Sequence, residues 1–226
     1  VEFDKRHPDK KTRPIPSGII SIFRAEILAT VILFGSLIVA KVLYNANFFY
    51  VLISLWIAGI LYNIRPIRLK NIPYLDVVSE SLNNPIRFLL GWFVIVKSEF
   101  PPLLILLLTW SIGAILMTAK RYDELKFYGK KLAPYRDTFN TYSLKSLSIM
   151  MHFYVALSTV FITREIYKYK QSLLIGIPFI LLYLLWIVKK VKSGEAKARK
   201  IEAFIFSYRF VLNTIIIILL FMLLYI

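Results

Sequence analysis

The stretch Lys120-Arg121-Tyr122-Asp123-Glu124 sets two cations and two carboxylates within five residues. Lys120 and Glu124 are four apart and share a face on a helix. Cations beside carboxylates at a helix end suit a phosphorylated ligand, gripped directly or through Mg2+. A basic anchor at a membrane surface has the same charge pattern, and by charge alone it is the simpler reading. Two other stretches are basic, and the first of them repeats the mixture. Residues 1–16 hold Asp4, Lys5, Arg6, His7, Asp9, Lys10, Lys11 and Arg13, and residues 65–73 (RPIRLKNIP) hold Arg65, Arg68 and Lys70. A fourth set, Asp76, Glu80, Asn83, Asn84 and Arg87, recurs at helical spacing. On one continuous helix it lines a polar cavity or ties helices together through an acid–arginine pair.

The elements that must position these residues are apolar. The chain has 226 residues, is 58% hydrophobic and has a mean hydropathy of +0.65. A membrane span needs about 20 apolar residues, and seven runs qualify, at 17–44, 47–64, 75–97, 101–119, 144–163, 172–189 and 206–226. Backbone groups in lipid are satisfied only in helices or closed barrels. The fold class is therefore all-α, a polytopic transmembrane helical bundle. Pro14 and Pro16 stop any helix upstream of the first run, and Ser17 is a plausible cap.

If every run crosses, the connections alternate between two faces. Twenty of the 29 lysines and arginines then fall on one face, and only Lys97, Arg164, Lys168 and Lys170 on the other. Basic loops stay cytoplasmic. The loops around Asp4, Lys70 and Lys120 thus share the cytoplasmic side of a plasma membrane, where they converge on one anionic head group. The net charge of +16 serves topology and anionic membrane lipids rather than nucleic acid, because it is split among short loops. With no cysteine there is no disulfide and no thiolate metal site. His7 and His152 are too far apart in sequence to suggest zinc, and His152 reads as a packing or helix–helix bonding group.

These residues resemble the UbiA superfamily of intramembrane prenyltransferases. The family's first motif, Asn-Asp-x-x-Asp-x-x-x-Asp, often continues Arg-x-His-Pro-x-Lys-x-x-Arg-Pro-Ile-x-x-Gly. The run Asp4-Lys5-Arg6-His7-Pro8-Asp9-Lys10-Lys11-Thr12-Arg13-Pro14-Ile15-Pro16-Ser17-Gly18 matches that tail. Tyr62 through Lys70 is similar to the family's tyrosine–lysine loop. Where ordinary members carry DxxxD, this chain has Lys-Arg-Tyr-Asp-Glu, which resembles the branch containing decaprenyl-phosphate phosphoribosyltransferase, as do Tyr135-Arg136 and Tyr142.

The resemblance implies a nine-helix fold around a central cavity. The seven runs are then helices 3–9 of a single domain over 1–226 that lacks the first one to two helices. It implies a Mg2+-dependent transferase acting on an isoprenoid lipid and a diphosphate co-substrate. Asp4 and Asp123 would meet the metal. Arg13, Lys70, Asn84, Arg87, Lys120, Arg121 and Arg136 would bind substrate, and Asp76, Glu80 and Glu124 would position the acceptor, orient groups or act as a base. The expected reaction moves a phosphoribosyl group from phosphoribosyl diphosphate to a polyprenyl phosphate. Prenyl transfer to an aromatic or quinone-precursor acceptor stays open, as does a transporter of anionic lipids.

Overall fold

A computed structural model describes residues 2–5, 11–134, 136–195 and 207–225. Arg6 to Lys10 in the motif tail, and Tyr135, lie outside the described residues. Those described form helices and no strand: α1 (Glu2–Lys5), α2 (Ile22–Leu43), α3 (Ala46–Asn63), α4 (Leu75–Ser81), α5 (Asn83–Ile95), α6 (Leu103–Tyr128), α7 (Thr138–Thr141), α8 (Leu144–Tyr169), α9 (Ile177–Ser193) and α10 (Tyr208–Tyr225). Short 3-10 turns cover Leu69–Asn71, Gly129–Leu132 and Gln171–Gly176. Six helices, α2, α3, α6, α8, α9 with its preceding turn, and α10, are long and apolar enough to cross a membrane. The chain is a polytopic helical bundle.

Three boundaries differ from the sequence reading for definable reasons. Gly18 takes a left-handed φ of 85°, which no right-handed helix tolerates. Helix α2 therefore starts at Ile22 with Ser21, not Ser17, as its cap, and Ser21 Oγ accepts from the Arg24 N–H at 3.3 Å. The third run is split at Leu82 between α4 and α5. Pro85 accounts for the break, because it has no N–H to offer the Ser81 carbonyl four residues back and its ring crowds that carbonyl. The single polar face expected over Asp76–Arg87 is therefore interrupted. Helix α6 runs on to Tyr128 instead of ending near Ala119, so Lys120–Glu124 is helical and not a loop.

The chain divides into two compact units. The first comprises Val1–Ser79, Ile86–Phe100 and Lys130–Thr141. In it α2 packs on α3, with Trp56 Nε1 donating to Ser36 Oγ at 3.3 Å. Asn45 caps α3 and also donates to the Phe93 carbonyl at 2.6 Å. Most of α2 shows exposed apolar side chains, such as Phe23, Val31, Phe34, Ile38 and Val42, as a helix facing lipid does.

The second unit comprises Glu80–Pro85, Pro101–Gly129 and Tyr142–Ile226. Its centre is the packing of α6 on α8. Gly113 and Ala114 on α6 are small, and Ser158 Oγ donates to Ser111 Oγ at 2.8 Å in the buried seam. Small residues and interhelical hydroxyl bonds hold helices together in lipid, where apolar burial supplies no drive. Helix α8 opens with a capping box between Ser143 and Ser146. Helix α9 ends at Gly194 in a left-handed cap, followed by Glu195, whose carboxyl is held below its ordinary range by a hydrogen bond from Lys190. Helix α10 leans on α9 through Tyr183 and Thr214, whose hydroxyls lie 2.6 Å apart.

Candidate functional site

Two polar clusters stand out, one in each unit. In the first unit, the connection from α3 to α4 is bent by a cis Arg65–Pro66 bond and by left-handed Arg68 (φ 41°) and Tyr74 (φ 67°). Non-glycine residues there cost about 1–3 kcal/mol each and persist only where neighbours fix them. The neighbours are identifiable. Arg136 Nε donates to the Lys70 carbonyl at 2.9 Å, and its Nη2 donates to the Tyr62 hydroxyl at 2.7 Å. Its Nη1 lies 3.9 Å from Asp76 Oδ2, with Asp76 fully buried. Asn71 donates to Asp137 at 2.9 Å, and Lys70 Nζ donates to Asn63 Oδ1 at 3.1 Å.

This clasp brings together Lys70, Asp76 and Arg136 from the sequence-derived set and adds Tyr62, Asn63, Asn71 and Asp137. Asn71 and Asp137 carried no sequence signal, because their pairing spans 66 residues. In the same unit Asp4 Oδ2 lies 3.8 Å from Arg13 Nη1, and Arg87 is exposed.

In the second unit, the last turns of α6 carry Lys120, Arg121, Asp123 and Glu124. Arg121 Nη1 meets Glu124 Oε2 at 2.6 Å. Both are nearly buried, at 3% and 7% of their surface exposed. The i,i+3 spacing alone brings them together, and a pair so deep neutralises itself. Asp123 is also buried, while Lys120 is half-buried. One turn on, Lys126 Nζ donates to the Lys192 carbonyl at 2.5 Å, tying the end of α6 to the end of α9.

Asn84 packs against Gly113 so closely that a Cβ there would overlap its amide nitrogen. Glu80 is half-buried. His152 on α8 is exposed, and its Nδ1 bonds to the Ser148 carbonyl of its own helix at 2.6 Å.

A resident metal needs several convergent donors. Among the described residues no three His, Asp or Glu side chains form a group able to hold an ion. Asp4 and Asp123 are single carboxylates, and Glu124 is occupied by Arg121. The described residues thus do not by themselves make the Mg2+ site that the resemblance implies.

A polytopic helical bundle with strained, cation-bearing connections defines a class of intramembrane protein, and comparison narrows it. The chain belongs to the UbiA prenyltransferase family, whose model matches residues 1–210. It is 30% identical over 144 residues to decaprenyl-phosphate phosphoribosyltransferase from Mycolicibacterium smegmatis, a match covering 63% of this chain and 43% of the relative. The chain thus spans less than half the length of that relative. Among solved structures, a UbiA homologue from Archaeoglobus fulgidus bound to DMAPP and Mg2+ has a TM-score of 0.68 at 20% identity, over 85% of this chain and 67% of that one. The same homologue bound to Cd2+ gives 0.69 at 19% identity, over 96% and 78%.

Proposed function

We propose that this chain works in an integral-membrane transferase that moves a phosphoribosyl group from phosphoribosyl diphosphate to a polyprenyl phosphate, with its polar clusters on the cytoplasmic side. The observation that carries the reading is the buried Arg121–Glu124 pair, 2.6 Å apart. An ordinary DxxxD element offers free carboxylates for metal. Here the one glutamate is already matched by Arg121, and Asp123 stands against Lys120 and Lys126, so the end of α6 carries one cation more than its carboxylates. That suits direct contact with phosphate. The relative from Mycolicibacterium smegmatis is named for transfer of the same group to a polyprenyl phosphate, which supports the reading.

In the proposed step an oxygen of the polyprenyl phosphate attacks C1 of the ribose. The C1–O bond to diphosphate breaks, and diphosphate leaves with the electron pair. Lys120 on the second unit, and Lys70 and Arg13 on the first, are each candidate phosphate contacts of the kind that steady charge where it develops. The attacking phosphate oxygen is already anionic, so the step needs no general base. Asp76 and Glu124, each facing an arginine, are then positioning groups rather than bases. Transfer to an aromatic ring carbon would instead have to remove a ring proton.

Membranes holding the protein, supplied with labelled phosphoribosyl diphosphate and polyprenyl phosphate, should yield a lipid-linked pentose phosphate and free diphosphate. Label entering an aromatic acceptor only from a prenyl diphosphate would assign the rival transfer. Label crossing the bilayer with no covalent product would assign a transporter.

A further inference from the structure

At the end of the second unit opposite Lys120–Glu124, a groove of about 780 Å³ opens between α6, α8, α9 and α10. Leu108, Ile162, Ile180, Ile217, Phe221 and Met222 line it. Its size is that of a site for a sizeable small molecule. An apolar groove in a membrane protein fills with some lipid chain and by itself singles out none. Glu165 singles one out. It is the one carboxylate among the lining residues, and it is 8% exposed. Its Oε1 is buried and receives no hydrogen bond from the described residues, while among them its Oε2 has only the half-exposed Lys168 Nζ, at 3.4 Å.

A buried acceptor without a donor is costly. Glu165 lines the groove, so an occupant of the groove can supply that donor. Beside Glu165, Arg164 and Lys168 are exposed and four residues apart, so they share a stripe of α8. Exposed Tyr167 and Tyr169 mark the level of the lipid head groups. The site therefore offers cations for an anion at its rim, a carboxylate for a cationic donor just inside, and apolar walls below.

We propose that this groove is a binding site for an aminophospholipid of the leaflet at the C-terminal end of α8. Its phosphate lies against Arg164 and Lys168, its primary ammonium donates to Glu165 Oε1, and an acyl chain lies along Ile217 and Phe221. The inference does not depend on the transfer reaction, because it concerns the opposite end of the unit.

The test uses the purified protein, stripped of lipid in detergent and titrated by native mass spectrometry. The probes are phosphatidylethanolamine, phosphatidylcholine and phosphatidylglycerol. Phosphatidylcholine keeps the phosphate and the positive charge but has no N–H. Phosphatidylethanolamine should bind roughly tenfold tighter than either, the worth of one hydrogen bond to a charged group. Glu165→Gln should cut the preference over phosphatidylcholine, because its amide oxygen accepts without the carboxylate's charge. Arg164→Ala should weaken both equally and leave the preference intact. Ile217→Trp, which fills the groove, should abolish the tight site in a protein that still elutes as one species. Equal binding of the three lipids, or an unchanged preference in Glu165→Gln, would overturn the proposal. So would displacement of phosphatidylethanolamine by a polyprenyl phosphate at one equivalent.

Discussion

All three nitrogens of the Arg136 guanidinium face the protein itself: the Lys70 carbonyl, the Tyr62 hydroxyl and Asp76. An arginine so engaged is a fork that holds a loop, and a lysine cannot copy it, having one rotatable head in place of a planar set of donors. Arg136→Lys should therefore fold but release the 64–74 connection. Its turnover should fall by tenfold or more, with the melting midpoint in detergent lowered by a few degrees, roughly the loss of two hydrogen bonds. A variant with wild-type turnover would show that Lys70 does not need the clasp.

The Arg121–Glu124 pair makes a second residue-level case. Removing one member of a buried pair strands the other and costs about 3–5 kcal/mol, whereas replacing both with apolar residues can be close to neutral. Arg121→Leu should lower thermal stability sharply, and Arg121→Leu with Glu124→Leu should recover most of it while still lacking activity. Lys120→Ala should leave the melting point alone and raise the apparent KM for the diphosphate donor. If the Arg121→Leu single variant melts like wild type, the pair is not the neutralised unit argued above.

Elements were legible in the sequence wherever apolarity alone decides them. The six helices long enough to span all lie within or across apolar runs, because lipid leaves the backbone no alternative. What the runs concealed was interaction at a distance. The extension of α6 to Tyr128 lay inside a charged stretch that looks like a loop, yet Lys, Arg, Glu and Leu are good helix formers and nothing breaks the helix before Gly129. The clasp around Arg136 was hidden for another reason. Its partners Lys70 and Tyr62 are 66 and 74 residues away, and one sequence carries no signal for such pairing. The split between α4 and α5 could have been read from Pro85, and the residue before it, Asn84, packs closely on α6. Gly113 on α6 leaves room for Asn84 and for nothing larger. Gly113→Ala should push the Asn84 amide out and destabilise the protein by about 1–3 kcal/mol. Gly113→Ala with Asn84→Ala should restore the melting point, since the overlap is with that side chain alone; failure to restore it would mean that α6 needs the glycine for some other reason.

For the molecule as a whole, the open question of topology is whether the divided run α4–α5 crosses the membrane. Helix α5 has 13 residues, about 20 Å at 1.5 Å per residue, short of a hydrocarbon core of about 30 Å. With α4 and the turn at Leu82 the run is long enough. The clasp favours a crossing, given that α6 crosses. If the run did not cross, the 64–74 connection and the one following α6 would lie on opposite sides of the bilayer, and Arg136 could not donate to the Lys70 carbonyl at 2.9 Å. The same parity keeps the basic connections on one side, as the positive-inside rule requires. The chain has no cysteine, so single introduced thiols report without background. Ile67, Ser98, Lys130 and Tyr169 are all exposed. In intact cells a membrane-impermeant maleimide should label Ser98→Cys and Tyr169→Cys. It should reach Ile67→Cys and Lys130→Cys only after the cells are opened. Labelling of the 67 and 98 positions from the same side would mean that α4–α5 turns back within the membrane, which would refute the crossing.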